Sequence, residues 1–123
     1  MTGPAPPPPR DLDALRERLR AFAAARDWDQ FHSPKNLAMA LIGEAAEVVE
    51  HFQWLTEEQS RALPPDKKAE VAAELADVLL YLVRLADKLD VDLAAAAAAK
   101  MQRNEAKYPA QQVRGSARKY TEY

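Results

Sequence analysis

Between Val71 and Leu85 the chain carries a helical pattern that is apolar on nearly every side. Val71, Leu75, Val78, Leu79, Leu80, Leu82, Val83 and Leu85, with alanines between them, fill most of a wheel drawn at about 100° per residue. Such a helix is stable only as the central element of a helical assembly. One strip interrupts it: Glu70, Glu74, Asp77 and Tyr81 share a sector about 60° wide. The acidic side of this helix must therefore face a cavity or a polar cleft.

Composition agrees with an all-α fold. The 123 residues are 48% hydrophobic, with three glycines, and the nine prolines gather at the ends and at one internal joint. Ala, Leu, Glu and Lys dominate, and these are good helix formers. The length suits one domain with a small core. There is no cysteine, which excludes a disulfide frame and a thiolate metal site. No apolar run approaches a membrane span, and no signal peptide precedes the first helix, so a soluble, cytoplasmic protein without a membrane partner is expected. A net charge of -2 with scattered positive residues argues against a nucleic-acid polymer as partner.

Residues 1–10 read as a disordered Pro/Ala-rich leader. Helices are predicted over residues 11–27, 34–55 and 66–89, and a fourth is capped by Asp92 and ends before Pro109. Residues 28–32 break the first helical period, and Ser33-Pro34 starts the second helix. A joint without a helix is expected over 56–66, and a tail of no regular element over 110–123. The predicted architecture is a four-helix bundle over 11–109. Its third helix is apolar on more sides than one small bundle covers, so a second chain is expected to pack there.

On helix two, Leu37, Leu41, Val48, Phe52 and Leu55 form a stripe about 60° wide. Glu44 and His51 project at its border, Glu47 lies further out, and Glu50 points to water. Two carboxylate steps thus stand out, Glu44-x-x-Glu47 and Glu74-x-x-Asp77, each on one side of its helix. Glu50, Glu57, Glu58 and Glu70 read as solvated. Two carboxylates about 5 Å apart repel by about 3 kcal/mol at an effective dielectric of 20. Four together require a cation, and hard oxygen ligands point to Mg²⁺ or Mn²⁺. A di-iron bundle would need Glu-x-x-His pairs, which neither His32 nor His51 supplies.

Around these acids the sequence leaves alternatives open. Trp28 and Trp54 flank helix two and suit either packing or base stacking. His32 and Asn36 suit either a base edge or a helix cap. Lys100 and Asn104 stand one turn apart with Lys107 beyond; spacing alone favours solvation over phosphate contact.

The stretches RDWDQFHSPKNLAMALIGEAAEVVEHFQW, ELADVLLYLVRLADKLDVDL, KMQRNEAKYP and RGSARKYTEY together resemble the all-α nucleoside triphosphate pyrophosphohydrolases of the MazG-like superfamily, in particular the dCTP pyrophosphatase branch. The resemblance implies a four-helix fold in a dimer-based homotetramer and conversion of a nucleoside triphosphate, dCTP or a modified dCTP, to monophosphate and pyrophosphate. It implies Glu44, Glu47, Glu74 and Asp77 as Mg²⁺ ligands; of the glutamates, Glu47 is expected as general base because it lies further from the apolar stripe. Trp28, Asp29, Gln30, Phe31, His32 and Trp54 match the base and sugar pocket, with Asn36 beside it. Tyr81 matches a substrate-contacting tyrosine, and Lys100 and Asn104 match phosphate and sugar contacts. A histidine that this branch can carry on helix one is matched here by Leu19, which bears on base preference. The alternatives are a broad-specificity or dUTP-preferring enzyme of the same fold and, in another class, a non-catalytic helical interaction module.

Overall fold

Asp11, extended at φ -130° and ψ 167°, accepts a hydrogen bond from the Ala14 amide at 2.7 Å and so starts α1, Leu12–Ala25. The structure, a computed structural model, describes residues 3–4, 7–117 and 121. α1 closes with Asp27 in the left-handed region at φ 54°. The Asp27 amide donates to Ala24 and the Trp28 amide to Ala23, the paired bonds of a Schellman ending. That ending turns Trp28 back onto α1, where its ring meets Phe22 edge-on at 5.7 Å. A single 3-10 turn, Asp29–Phe31, then leads to Ser33, whose hydroxyl accepts from the Asn36 amide and starts α2, Pro34–Glu50.

α2 stops before the predicted Leu55. Residues 51–55 wind on as tighter turns, with the Phe52 amide on Val49 and the Leu55 amide on Phe52, both at 2.9 Å. The cause is local: Thr56 is extended and caps a separate short helix, α3, Glu57–Arg61. Its hydroxyl accepts from the Gln59 amide while the Gln59 carboxamide accepts from the Thr56 amide. The joint expected to be helix-free thus contains a capping box. After Pro64, α4 runs over Pro65–Lys88 and ends at Asp90, again in the left-handed region.

Two compact units divide the chain at Asp90. In the first, α4 packs against α2 and against α1. Leu37, Ala23, Val71, Val83 and Ala86 are its buried apolar residues. α4 is central, as its pattern requires, but not covered on all sides: Leu75 and Leu79 are exposed. The unit has only two other long helices to cover it.

The second unit holds α5, Leu93–Lys107, capped by Asp92 on the Ala95 amide at 3.0 Å, and α6, Ala110–Val113. α6 occupies a stretch for which no regular element was predicted. Pro109 starts it, and the Val113 amide reaches the Pro109 carbonyl at 3.1 Å. The expected tail also includes residues 118–120 and 122–123, which lie outside the described residues. Among the described residues there is no strand and no helix long and apolar enough to cross a membrane.

Candidate active site

The packing of α2 on α4 brings the two carboxylate steps together. Glu44, Glu74 and Asp77, all half-buried, each offer an oxygen within 4.8 Å of the others. One oxygen of Glu44 and one of Glu74 are sealed from solvent without a hydrogen-bond donor. Unpaired buried carboxylate oxygens are costly, and the carboxyls of both acids are held above their usual range. Burial, then the neighbouring Glu47, Asp77 and Glu74, pushes the Glu44 carboxyl above the usual range. A hydrogen bond shared with Glu47 and burial push Glu74 up, with His51 opposing.

Glu47 stands beside both but is exposed to solvent. His51, which sequence reasoning left without a role, lies with Nε2 3.8 Å from Glu74 and Nδ1 4.0 Å from Glu70. Glu70 is exposed and also near Lys67, in keeping with a solvated residue. The residue types fit a hard divalent cation: three convergent carboxylates, two orphaned buried oxygens and no competing amide or guanidinium donor on them.

Asp77 also lines a cavity of about 160 Å³, with Trp28, His32, Tyr81 and Leu19 among its walls. This joins the acidic cluster to an aromatic pocket. The other predicted contacts are placed differently. Asp29 is bound to Arg84 and Lys88, and these cations hold its carboxyl below the usual range. Gln30 donates to Asp27, and Asn36 donates to the Phe31 carbonyl at 3.0 Å, so it braces the loop ahead of its own helix. Phe31 and Trp54 are exposed, Trp54 to 86%. Lys100 and Asn104 lie on α5 in the second unit.

Sequence reasoning missed Arg84 altogether. It is the buried charged residue of the first unit, and with Arg20, Asp29, Asp87 and Lys88 it lines a second cavity of about 420 Å³. Arg20 grips Asp87 through Nε at 2.8 Å and Nη2 at 2.5 Å, which holds the Asp87 carboxyl low. A signal was available: on the helical wheel Arg84 and Lys88 continue the strip of Glu74, Asp77 and Tyr81, where its charge changes sign.

The sequence model of the MazG-like family matches residues 41–123. The dCTP pyrophosphatase 1 of Mus musculus is 48% identical over 117 residues, 94% of this chain and 69% of the mouse protein. Its Homo sapiens counterpart is 46% identical over the same shares of both chains. Among solved structures, a pyrophosphatase from Archaeoglobus fulgidus matches with a TM-score of 0.76 at 36% identity, covering 86% of this chain and 99% of that one. With the family match spanning more than half the chain and the convergent carboxylates in place, this protein belongs to the MazG-like family.

Proposed function

We propose that the protein is a divalent-cation-dependent nucleoside triphosphate pyrophosphohydrolase that acts on dCTP or a modified dCTP. One observation carries this reading: Asp77 belongs at once to the carboxylate cluster and to the cavity lined by Trp28, His32 and Tyr81. A triphosphate at the acids would thus have an adjoining aromatic pocket for its base. The similarity to dCTP pyrophosphatases supports the choice of nucleotide.

In the proposed reaction, water attacks the α-phosphorus, the bond to the β-phosphate oxygen breaks, and the products are the monophosphate and pyrophosphate. Glu44, Glu74 and Asp77 hold Mg²⁺, with Mn²⁺ as a substitute, and Glu47 completes the set. The bound cation supplies charge stabilisation for the leaving pyrophosphate. Glu47 takes the proton from the attacking water, because it alone of the four is open to solvent. Trp28 offers a face for the base and His32 and Tyr81 offer polar edges; by resemblance Trp54 is assigned to the base and sugar, and Lys100 and Asn104 to phosphate and sugar.

The proposed working form is a dimer or a dimer-based tetramer. Met39, Ile42 and Val49 on α2, and Leu75 and Leu79 on α4, are exposed. Apolar helix faces of this extent suit cover by a second copy.

The test is a panel of deoxynucleoside triphosphates with Mg²⁺ and identification of products. Monophosphate and pyrophosphate, fastest from dCTP, support the reading. Diphosphate and phosphate, or no turnover, would refute it. Equal rates across the panel would favour the broad-specificity alternative, and fastest turnover of dUTP the dUTP-preferring one.

A further inference from the structure

Arg84 sits where one wall of the aromatic cavity meets the ion-pair cluster, with its side chain 7% exposed. Leu19, Phe22 and Leu80 supply hydrocarbon to that cavity, so its hydrogen-bonding character depends on a few groups, of which His32 is one. Arg84 divides its donors three ways. Nη2 reaches Asp29 at 2.6 Å, Nη1 reaches Asp87 at 3.4 Å, and Nε reaches Nδ1 of His32 at 3.1 Å.

A guanidinium has donors only. The Nδ1 atom facing it must therefore be the accepting nitrogen, and the ring proton must sit on Nε2. No described residue accepts from Nε2. The backbone that carries the ring is also held: the His32 amide donates to the Asp29 carbonyl at 3.0 Å, and Asn36 donates to the Phe31 carbonyl. Burial, then the charges of Arg84 and Lys88, pushes His32 below its ordinary range, so the neutral ring is favoured near neutral pH.

We infer that Arg84 is a specificity-determining positioning residue: by occupying Nδ1 of His32 it locks the imidazole as a donor at Nε2, which selects a base presenting a ring acceptor. N3 of cytosine meets that requirement, whereas uracil and thymine present N3–H. This assignment rests on the function proposed above, because it needs a base in the cavity. A site built to donate rejects a base that also donates, since both groups are then left unpaired.

Two measurements test it. Long-range ¹H–¹⁵N spectra of the labelled full-length protein read the imidazole tautomer directly, and a His51→Gln variant assigns the two rings. The wild type should show His32 protonated at Nε2, and Arg84→Met, which keeps the buried stem and removes the donors, should show both tautomers. In parallel, the ratio of kcat/KM for dCTP over dUTP should fall about tenfold in Arg84→Met, mainly through a raised KM for dCTP. A wild-type His32 protonated at Nδ1 overturns the proposal without any variant having to fold. An unchanged dCTP/dUTP ratio in an active Arg84→Met also overturns it and leaves the proposed function standing. A wild type that hydrolyses no nucleoside triphosphate overturns both.

Discussion

Glu44 on α2 and Glu74 on α4 meet across the helix pair, each with one carboxylate oxygen sealed from solvent and without a hydrogen-bond donor. Two acids in that position destabilise the pairing of their helices unless a cation joins them. Glu74→Gln should therefore raise the melting temperature in metal-free buffer. The same substitution should abolish the Mg²⁺-induced thermal shift and slow pyrophosphate release on the order of 10²-fold or more. Full Mg²⁺-dependent release by Glu74→Gln would show the ligand assignment to be wrong.

The same pair sets a pH response. Glu44 and Glu74 titrate above the ordinary carboxylate range in the folded protein. The native state thus holds protons that the unfolded chain releases, a contribution present below the unfolded pKa and lost as pH rises through the native one. Without metal, the melting temperature of the wild type relative to Glu74→Gln should rise as pH falls toward the ordinary carboxylate range, a difference in which the opposing contribution of His32, held below its ordinary range, cancels. Asp29 and Asp87 act in the opposite sense. Their carboxyls are held low, so their contribution is lost only at more acidic pH, as it falls through their native values. Excess Mg²⁺ should flatten the rise, because it competes with the protons. A metal-free difference between the two proteins that fails to rise as pH falls contradicts the assignment.

Burial separates the two acids that serve Arg84. Asp87 is 10% exposed and accepts from both Arg20 and Arg84. Asp87→Ala should cost about 2 kcal/mol in urea unfolding, since it leaves a buried guanidinium short of a partner. Asp29 is 60% exposed, and Asp29→Asn should cost less than about 1 kcal/mol. Equal losses would mean that burial does not govern the cluster.

Ile42 is 69% exposed on α2, and Leu79 is exposed on α4. If a second copy covers these faces, light scattering of the wild type gives a dimer or tetramer. Ile42→Glu combined with Leu79→Lys should shift it to monomer while the helical circular dichroism persists. A wild type that is monomeric at micromolar concentration would argue against the proposed assembly.

Much of the local structure was legible in the chain. Ser33 and Asp92 cap α2 and α5 as predicted, because a cap is satisfied by an amide three residues away, whereas Asp11, expected as the first residue of its helix, is the cap of α1. The capping box Thr56–Gln59 is equally readable, although it lies in the stretch expected as a joint. The end of α2 was misplaced because the apolar period continues to Leu55 while the backbone has already tightened at His51. Spacing also singled out Glu44, Glu47, Glu74 and Asp77, since acids in or beside an apolar stripe are costly wherever the helix packs, and three of the four converge.

What the sequence by itself determined is the four long helices and the two acidic steps, both consequences of contacts within a few residues. Only the tertiary structure decided which acids converge, that Glu47 stays open to solvent, and that His51 lies beside Glu74. It alone paired Arg84 with His32 and Asp29, partners 52 and 55 residues away. The reason is physical. A helical period states which residues share a face, whereas the partner that face meets depends on how α1, the turn after it and α2 pack around α4.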